Sequence, residues 1–354
     1  MKSFHSIDSL IGEAECGSGE EFEHYRKIIR ENKDLVNFLR FLEVANPCDQ
    51  EYFLYKNTII ISYIMRYTFI KLGKNRVSWR FRIIGLPVSL SDPGYLTAKE
   101  DEKTRASISV ILREIANRLK GTTIILNADN ELSGNCRTLP TFVFYNRFAA
   151  FNEYLDALRS NYRRKIKSIL VKGKELVFRK IKPGEFTKEH YELYLSVLNR
   201  ASIVARVMPI EYFKSGGSEI FEATDKQGRL LAFIQLKELD GVLNFLYVGF
   251  RKNESRDLNT ELQPVDLYFN LLLFIIRYGI ENGYRKIVFG QTAGESKSKV
   301  GCKEETRYMY MTSSNPIIKG FLGLFRGIIA LGTNETHYNV FKRIHEACDK
   351  APQH

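Results

Sequence analysis

The chain has 354 residues, of which 44% are hydrophobic and 12% aromatic, and a formal charge of +12. That apolar content excludes a disordered chain, which could not bury enough surface to offset its ordering entropy, and the length allows about two domains. The charge favours polyanionic partners such as nucleic acid, acidic lipid or phosphorylated ligands like coenzyme A; a basic surface with no such partner is the alternative.

The opening MKSFHSIDSLIGEAECG lacks an apolar core of signal-peptide length. No stretch reaches the roughly 18 apolar residues of a membrane-spanning helix. Five cysteines (Cys16, Cys48, Cys136, Cys302, Cys348) are scattered without a CxxC pair, and six histidines accompany them. Neither a zinc site nor a disulfide framework is indicated. The expectation is a reduced, cytoplasmic protein without a metal.

In the first half, a helix is predicted over Glu20 to Val44, then strands near Tyr52–Leu54, Ile59–Tyr67 and Val77–Ile84. A helix from about Thr104 to Leu119 ends at Gly121 and leads into a strand, Thr123–Leu126. A polar loop, Asn127 to Arg137, precedes the last strand of this half, Thr141–Tyr145.

Between the halves lies FNEYLDALRSNYRRKIKSILVKGK, residues 151–174. Tyr154, Leu158, Tyr162, Ile166 and Ile169 share one helical stripe, so a single linking helix is predicted. From Arg159 to Lys182 there are ten basic residues against one acid. Arg163 and Arg164 are candidates to grip an anionic substrate; a solvated helix face is the alternative.

The second half repeats the order of the first. A strand at Glu175–Ile181 is followed by a helix from Phe186 to Val204 and a short one around Tyr212. Three strands follow: Ile220–Thr224, Leu230–Leu236 and Val242–Phe250, with Asp240-Gly241 marking a tight hairpin. Pro264 opens a helix that closes at Asn282-Gly283. A buried strand, Lys286–Phe289, comes next, expected to lie parallel to Val242–Phe250, and GQTAGESKSKVG (290–301) and the strand RYMYM (307–311) complete the half. The class is α/β with mixed (α+β-like) sheets.

This order resembles the GNAT acyltransferase fold, and two copies in one chain resemble the Fem-type aminoacyl transferases. Three segments carry the resemblance: FNEYLDALRSNYRRKIK, DLYFNLLLFIIRYGIENGYRKIVFG, and the lysine-rich stretch ending at Gly301. It covers about residues 50–313. It implies two tandem GNAT-like domains joined by a basic helix, with boundaries at 1–150, 151–174, 175–314 and a tail, 315–354. It also implies transfer of an acyl or aminoacyl group to an amine, from acyl-CoA or aminoacyl-tRNA, with cell-wall precursors among the acceptors of the Fem-type relatives. A non-catalytic module that binds RNA or another polyanion is the competing expectation.

In GNAT proteins the donor's pyrophosphate rests on a glycine-rich turn before the long helix. Here that turn, Arg251 to Pro264, holds no glycine, so Arg251, Lys252 and Arg256 are the candidates for phosphate contacts. The resemblance places a tyrosine at Tyr268 as proton donor, ahead of Tyr247 and Tyr284, and puts Lys297 and Lys299 on the acceptor side to neutralise developing charge. Asp266 is a candidate base, or a carboxylate favoured at a helix start. Gln291 and Thr292, at a strand's carboxyl end, are candidate acceptor contacts. The tail NPIIKGFLGLFRGIIALGTN (315–334) either packs on its own domain or lies on a membrane surface as a peripheral contact.

Overall fold

The computed structural model describes residues 1–46, 48–72, 75–99, 101–129, 136–200, 207–251, 264–324 and 338–342. Its first half contains β1 (Lys2–Phe4), α1 (Ile7–Cys16), α2 (Glu20–Glu31), α3 (Lys33–Ala45), β2 (Gln50–Tyr55), β3 (Thr58–Leu72), β4 (Asn75–Ile84), β5 (Tyr95–Leu96), α4 (Glu102–Arg118), β6 (Thr122–Ala128), β7 (Cys136–Arg137) and β8 (Thr141–Tyr145). The second half contains α5 (Phe151–Ala157), α6 (Ser160–Lys172), β9 (Val177–Ile181), α7 (Lys188–Leu198), α8 (Ile210–Lys214), β10 (Glu219–Thr224), β11 (Leu230–Leu239) and β12 (Val242–Phe250). It ends with α9 (Pro264–Glu281), β13 (Lys286–Val288), α10 (Gly294–Lys299), β14 (Lys303–Glu305), β15 (Tyr308–Ser313) and α11 (Pro316–Leu324).

Two mixed sheets result, and their strand orders match. One runs β1-β2-β3-β4-β6-β15-β7, with β5 also on β3; the other runs β14-β8-β13-β12-β11-β10-β9. In each, a crossover helix joins the one parallel pair among the described strands, β4–β6 through α4 and β12–β13 through α9. The repeated element order and the parallel strand expected at Lys286 are both present.

The position of each half's last strand differs from the sequence reading. β8, from the first half, pairs antiparallel with β13; β15, from the second half, pairs antiparallel with β6. The halves thus exchange strands. Compact units accordingly comprise Met1–Pro140 with Thr306–Thr333, and Thr141–Glu305 with Asn334–His354. Cuts at 150 and 314 would sever strands from their sheets. No local pattern reveals such an exchange, because an apolar strand reads the same whichever sheet receives it.

Two predicted helices are broken. Residues 20–45 form α2 and α3, parted at Asn32, whose Nδ2 donates to the Ile28 carbonyl at 2.8 Å. The segment 151–174 is likewise two helices, with Leu158 and Arg159 extended between them. A short stretch of the C-terminal tail fills that break. Arg159 N–H donates to the Val340 carbonyl, Lys342 N–H to that of Ala157, and Leu158 bridges Phe341. Tyr154, Leu158 and Ile166 are buried in the second unit's core, so this segment belongs to that unit and is no free linker.

Local chemistry explains the turns that were legible. Asp240 (φ 49°) and Gly241 (φ 81°) both occupy the left-handed region that a two-residue hairpin demands. The core of the second unit centres on α9, whose Leu271, Leu272, Ile275 and Ile276 are fully buried. Gly173 lets the end of α6 approach it: a Cβ there would lie 2.3 Å from Asn270 Oδ1. Asn270 Nδ2 in turn donates to the Ile169 carbonyl, which also accepts from Gly173 N–H at the end of α6.

Candidate active site

The parallel pairing of β12 with β13 is short. It runs from Val242 opposite Lys286 to Asn244 opposite Val288 and then stops, although β12 continues to Phe250. Two causes part the strands. β12 carries one extra residue against β11, between the Leu236–Phe245 and Gln235–Tyr247 pairs, and a bulge bends its strand. The chain beyond β13 instead follows β8: Phe289 N–H donates to the Phe142 carbonyl (2.8 Å), and Phe142 N–H to that of Gly290 (3.1 Å). A fork opens beyond Asn244 and Val288.

Past the fork, Gly290 (φ 74°) and Ala293 (φ 55°) take left-handed conformations that turn the chain into α10. This short helix carries Lys297 inward until only 2% of the residue is exposed. Its Nζ donates to the Phe289 carbonyl at 2.5 Å and lies 6.0 Å from the centre of the Phe142 ring. Burial pulls its pKa down from 10.5 to about 7, with Cys302 acting weakly the other way. Cys302 is itself buried, and burial pushes its thiol up despite the nearby amine. Its backbone N–H donates to the Lys297 carbonyl, which holds the two residues in one turn.

Tyr268, on the first turns of α9, packs against the same hydrophobic cluster that contains Cys302. Its ring stacks on Phe250, at the far end of β12, with centroids 5.6 Å apart. Burial raises its hydroxyl pKa, and Cys302 adds to the effect. Tyr154 contributes from α5: its hydroxyl donates to the Val300 carbonyl at 3.0 Å. At neutral pH the group holds a neutral thiol, neutral phenols and an amine near its midpoint. Such a set can accept one proton and donate another without burying a net charge.

Lys297 and Cys302 share one turn and Tyr268 packs against the core cluster that contains Cys302, whereas the other predicted residues are dispersed. Lys299, two positions on, faces elsewhere: it pairs with Glu295 at 2.6 Å and lies over the Tyr338 ring. Asp266 is buried on the first turn of α9, its carboxylate accepting from Lys172 Nζ at 2.8 Å. Gln291 is half-buried and Thr292 exposed, just past the fork. Arg163 pairs with Asp156 at 3.6 Å, and Arg164 is exposed on α6. Arg251 pairs with Glu189 at 3.0 Å; Lys252 and Arg256 lie outside the described residues.

Sequence reasoning passed over two members of the site. Cys302 belongs to no metal or disulfide pattern in the sequence, yet it directly follows the glycine that closes the lysine-bearing stretch. Asn244 is a polar residue in the apolar strand VLNFLYVGF, and that mismatch was the available signal. It is buried at the last paired position of β12, and its Oδ1 has no hydrogen-bond partner among the described residues.

No protein-family model matches the chain, and no curated protein matches it either. Among solved structures, L-PGS from Bacillus licheniformis shares the architecture over 89% of this chain and 98% of its own, at 13% identity and a TM-score of 0.50. The chain has the GNAT fold in tandem. FemX matches at 12% identity over 91% of this chain and 100% of its own, with a TM-score of 0.45. Saccharomyces cerevisiae N-myristoyltransferase, solved with bound myristoyl-CoA, matches at 10% identity over 79% and 76%, with a TM-score of 0.39. In this tandem GNAT chain both sheets keep the parallel pair, while the lysine, cysteine and tyrosine group described above belongs to the second unit.

Proposed function

We propose that the second unit is a transferase centre that moves an acyl or aminoacyl group onto an amine, with the donor lying in the β12–β13 fork. One observation carries this reading: the β12–β13 pairing stops at Asn244 and Val288, directly before Phe289, whose carbonyl accepts from the buried Lys297 amine. An acyl donor with an amide-bearing arm fits a gap between strands, where its N–H and C=O groups can pair with strand backbone. Asn244 Oδ1 supplies a buried acceptor at the fork for a donor N–H.

The acceptor amine must be neutral to attack, and it sheds a proton as the new amide forms. Lys297, with its pKa near 7, takes that proton. Tyr268, kept protonated by burial, gives one to the leaving thiolate or ribose oxygen. Return of the proton from Lys297 to Tyr268 resets the site. Asp266 could serve as base only by releasing Lys172. Gln291 and Thr292 remain the candidates for holding the acceptor. Arg251 is the described candidate for the donor's phosphates.

The +12 charge and the exposed Arg164, Lys165 and Lys167 of α6 suit either polyanionic donor, coenzyme A or a charged tRNA, and keep a plain polyanion-binding module as the second reading. Thermal shift and transfer assays with acetyl-CoA and with aminoacyl-tRNA separate these. Ligand well above its Kd should raise Tm clearly. Turnover with either donor, lost in Lys297→Met, supports the enzyme. Salt-sensitive tRNA binding without turnover, unaffected by Lys297→Met, would leave only the binding module.

A further inference from the structure

We infer that Phe341, on the tail stretch 338–342, is a positioning residue for Lys297, acting through Val300, Gly301 and Cys302, the residues that close α10. The inference rests on the transferase reading of the second unit, to which this stretch belongs. Backbone bonds fix the stretch in the break between α5 and α6: Arg159 N–H donates to the Val340 carbonyl at 2.9 Å, and Lys342 N–H to that of Ala157 at 3.0 Å. Side chains lock the same register, with Arg159 Nε donating to the Phe341 carbonyl (2.8 Å) and Lys342 Nζ to the Asp156 carbonyl (2.7 Å). Val340 is buried in the unit's core. A stretch tied this firmly holds the Phe341 ring in one place.

That place is the end of the lysine-bearing helix. The ring lies against Gly301, where a Cβ would fall 2.5 Å from it. It also meets Tyr154 edge-on, with centroids 6.2 Å apart, and the Tyr154 hydroxyl donates to the Val300 carbonyl. Val300 N–H and Cys302 N–H both donate to the Lys297 carbonyl, at 3.2 and 3.1 Å. Phe341 and Tyr154 thus grip the residues from which the Lys297 backbone is hung. On the outer side of α10, the Tyr338 hydroxyl donates to Glu295 Oε1 at 3.4 Å. Removing the Phe341 ring opens space beside Gly301, and water entering there favours the charged form of the amine. Among the described residues, Cys302 is the titratable group that bears on that amine. Its buried thiol is neutral, so it does not replace the packing that Phe341 supplies.

An NMR titration of the full chain carrying isotope-labelled lysine reads the Lys297 midpoint, with Lys297→Met identifying its resonance. The native chain should titrate near 7. Phe341→Ala should raise the midpoint by about one pH unit or more, which lowers the neutral fraction at pH 7, and kcat/KM with it, by about fivefold. Raising the pH should restore that activity. Phe341→Met, which refills the space with a flexible apolar side chain, should keep the native midpoint. Phe341→Val, a smaller deletion, should move it part-way and serves if Phe341→Ala does not fold. A folded Ala or Val variant with a lowered Tm and an unchanged midpoint would overturn the inference, leaving Phe341 a purely structural residue. A native midpoint near 10.5 would overturn it too. Midpoints that respond as stated in a chain that turns over neither donor would remove the transferase reading and leave the coupling of Phe341 to Lys297 standing.

Discussion

Lys297 Nζ rests on the Phe289 carbonyl, 2.5 Å away, at the point where β13 leaves its partner β12. The side chain is buried, and its pKa is depressed to about 7 from 10.5. Between those values the unfolded chain binds a proton that the folded one does not, so this residue makes stability rise with pH. It contributes up to roughly 1.4 kcal/mol per pH unit across that window. Lys297→Met removes the effect. The variant should be more stable than the native chain at pH 7, with an advantage that shrinks steadily towards pH 10. Urea denaturation at several pH values measures the difference, and a gap that does not change with pH would contradict a neutral buried amine.

Tyr268 and Lys299 give opposite expectations. Tyr268→Phe keeps the ring on Phe250 and removes only the hydroxyl, so Tm should hold while kcat falls on the order of 100-fold, the scale of general acid catalysis. Lys299 is engaged in a surface pair with Glu295, of a kind worth about 0.3–0.5 kcal/mol. Lys299→Ala should therefore alter kcat by less than about threefold. Single-turnover transfer assays distinguish the two. A severe Lys299 defect beside an intact Tyr268→Phe variant would move the chemistry to the outer face of α10.

Much of the fold around this candidate site was legible, and the losses have physical causes. The hairpin at Asp240-Gly241, the crossover helix α9 and the parallel strand after it follow from turn chemistry and periodicity, which are local. Lys297 and Tyr268 are residues the resemblance places in the site, and the burial that shifts their pKa values depends on packing that no spacing encodes. Lys297 and Lys299 looked equivalent in the sequence; helical geometry sends side chains two residues apart in different directions. The break at Leu158 was hidden because its hydrogen bonds are satisfied by residues 340–342, far along the chain.

The contact between Lys172 and Asp266 predicts a stability effect with little loss of activity. Asp266 is buried and Lys172 partly exposed, so Lys172→Met leaves a buried carboxylate without its cation. The cost should be about 1–3 kcal/mol, the range for stranding a buried polar group. Asp266→Asn should cost less and keep kcat within a few-fold. A collapse of kcat in Asp266→Asn at unchanged Tm would instead make Asp266 the base.

Strand exchange can be tested by cross-linking. Thr122 Oγ1 on β6 and Ser313 Oγ on β15 are 3.3 Å apart, although 191 positions separate them in sequence. Cysteines at both sites fall close to the separation a disulfide needs. With the native cysteines replaced by serine, Thr122→Cys with Ser313→Cys should oxidise readily and migrate as a looped species on a non-reducing gel. Closing so long a loop should raise stability by up to about 5 kcal/mol in the chain-entropy account. Tyr145→Cys with Lys286→Cys, facing each other in the β8–β13 register, provides the reciprocal test in the second unit. Were β15 to remain in the second half's own sheet, neither pair would meet and both variants would stay reduced. Formation of both bonds in the same monomeric chain requires each half to complete the other's sheet.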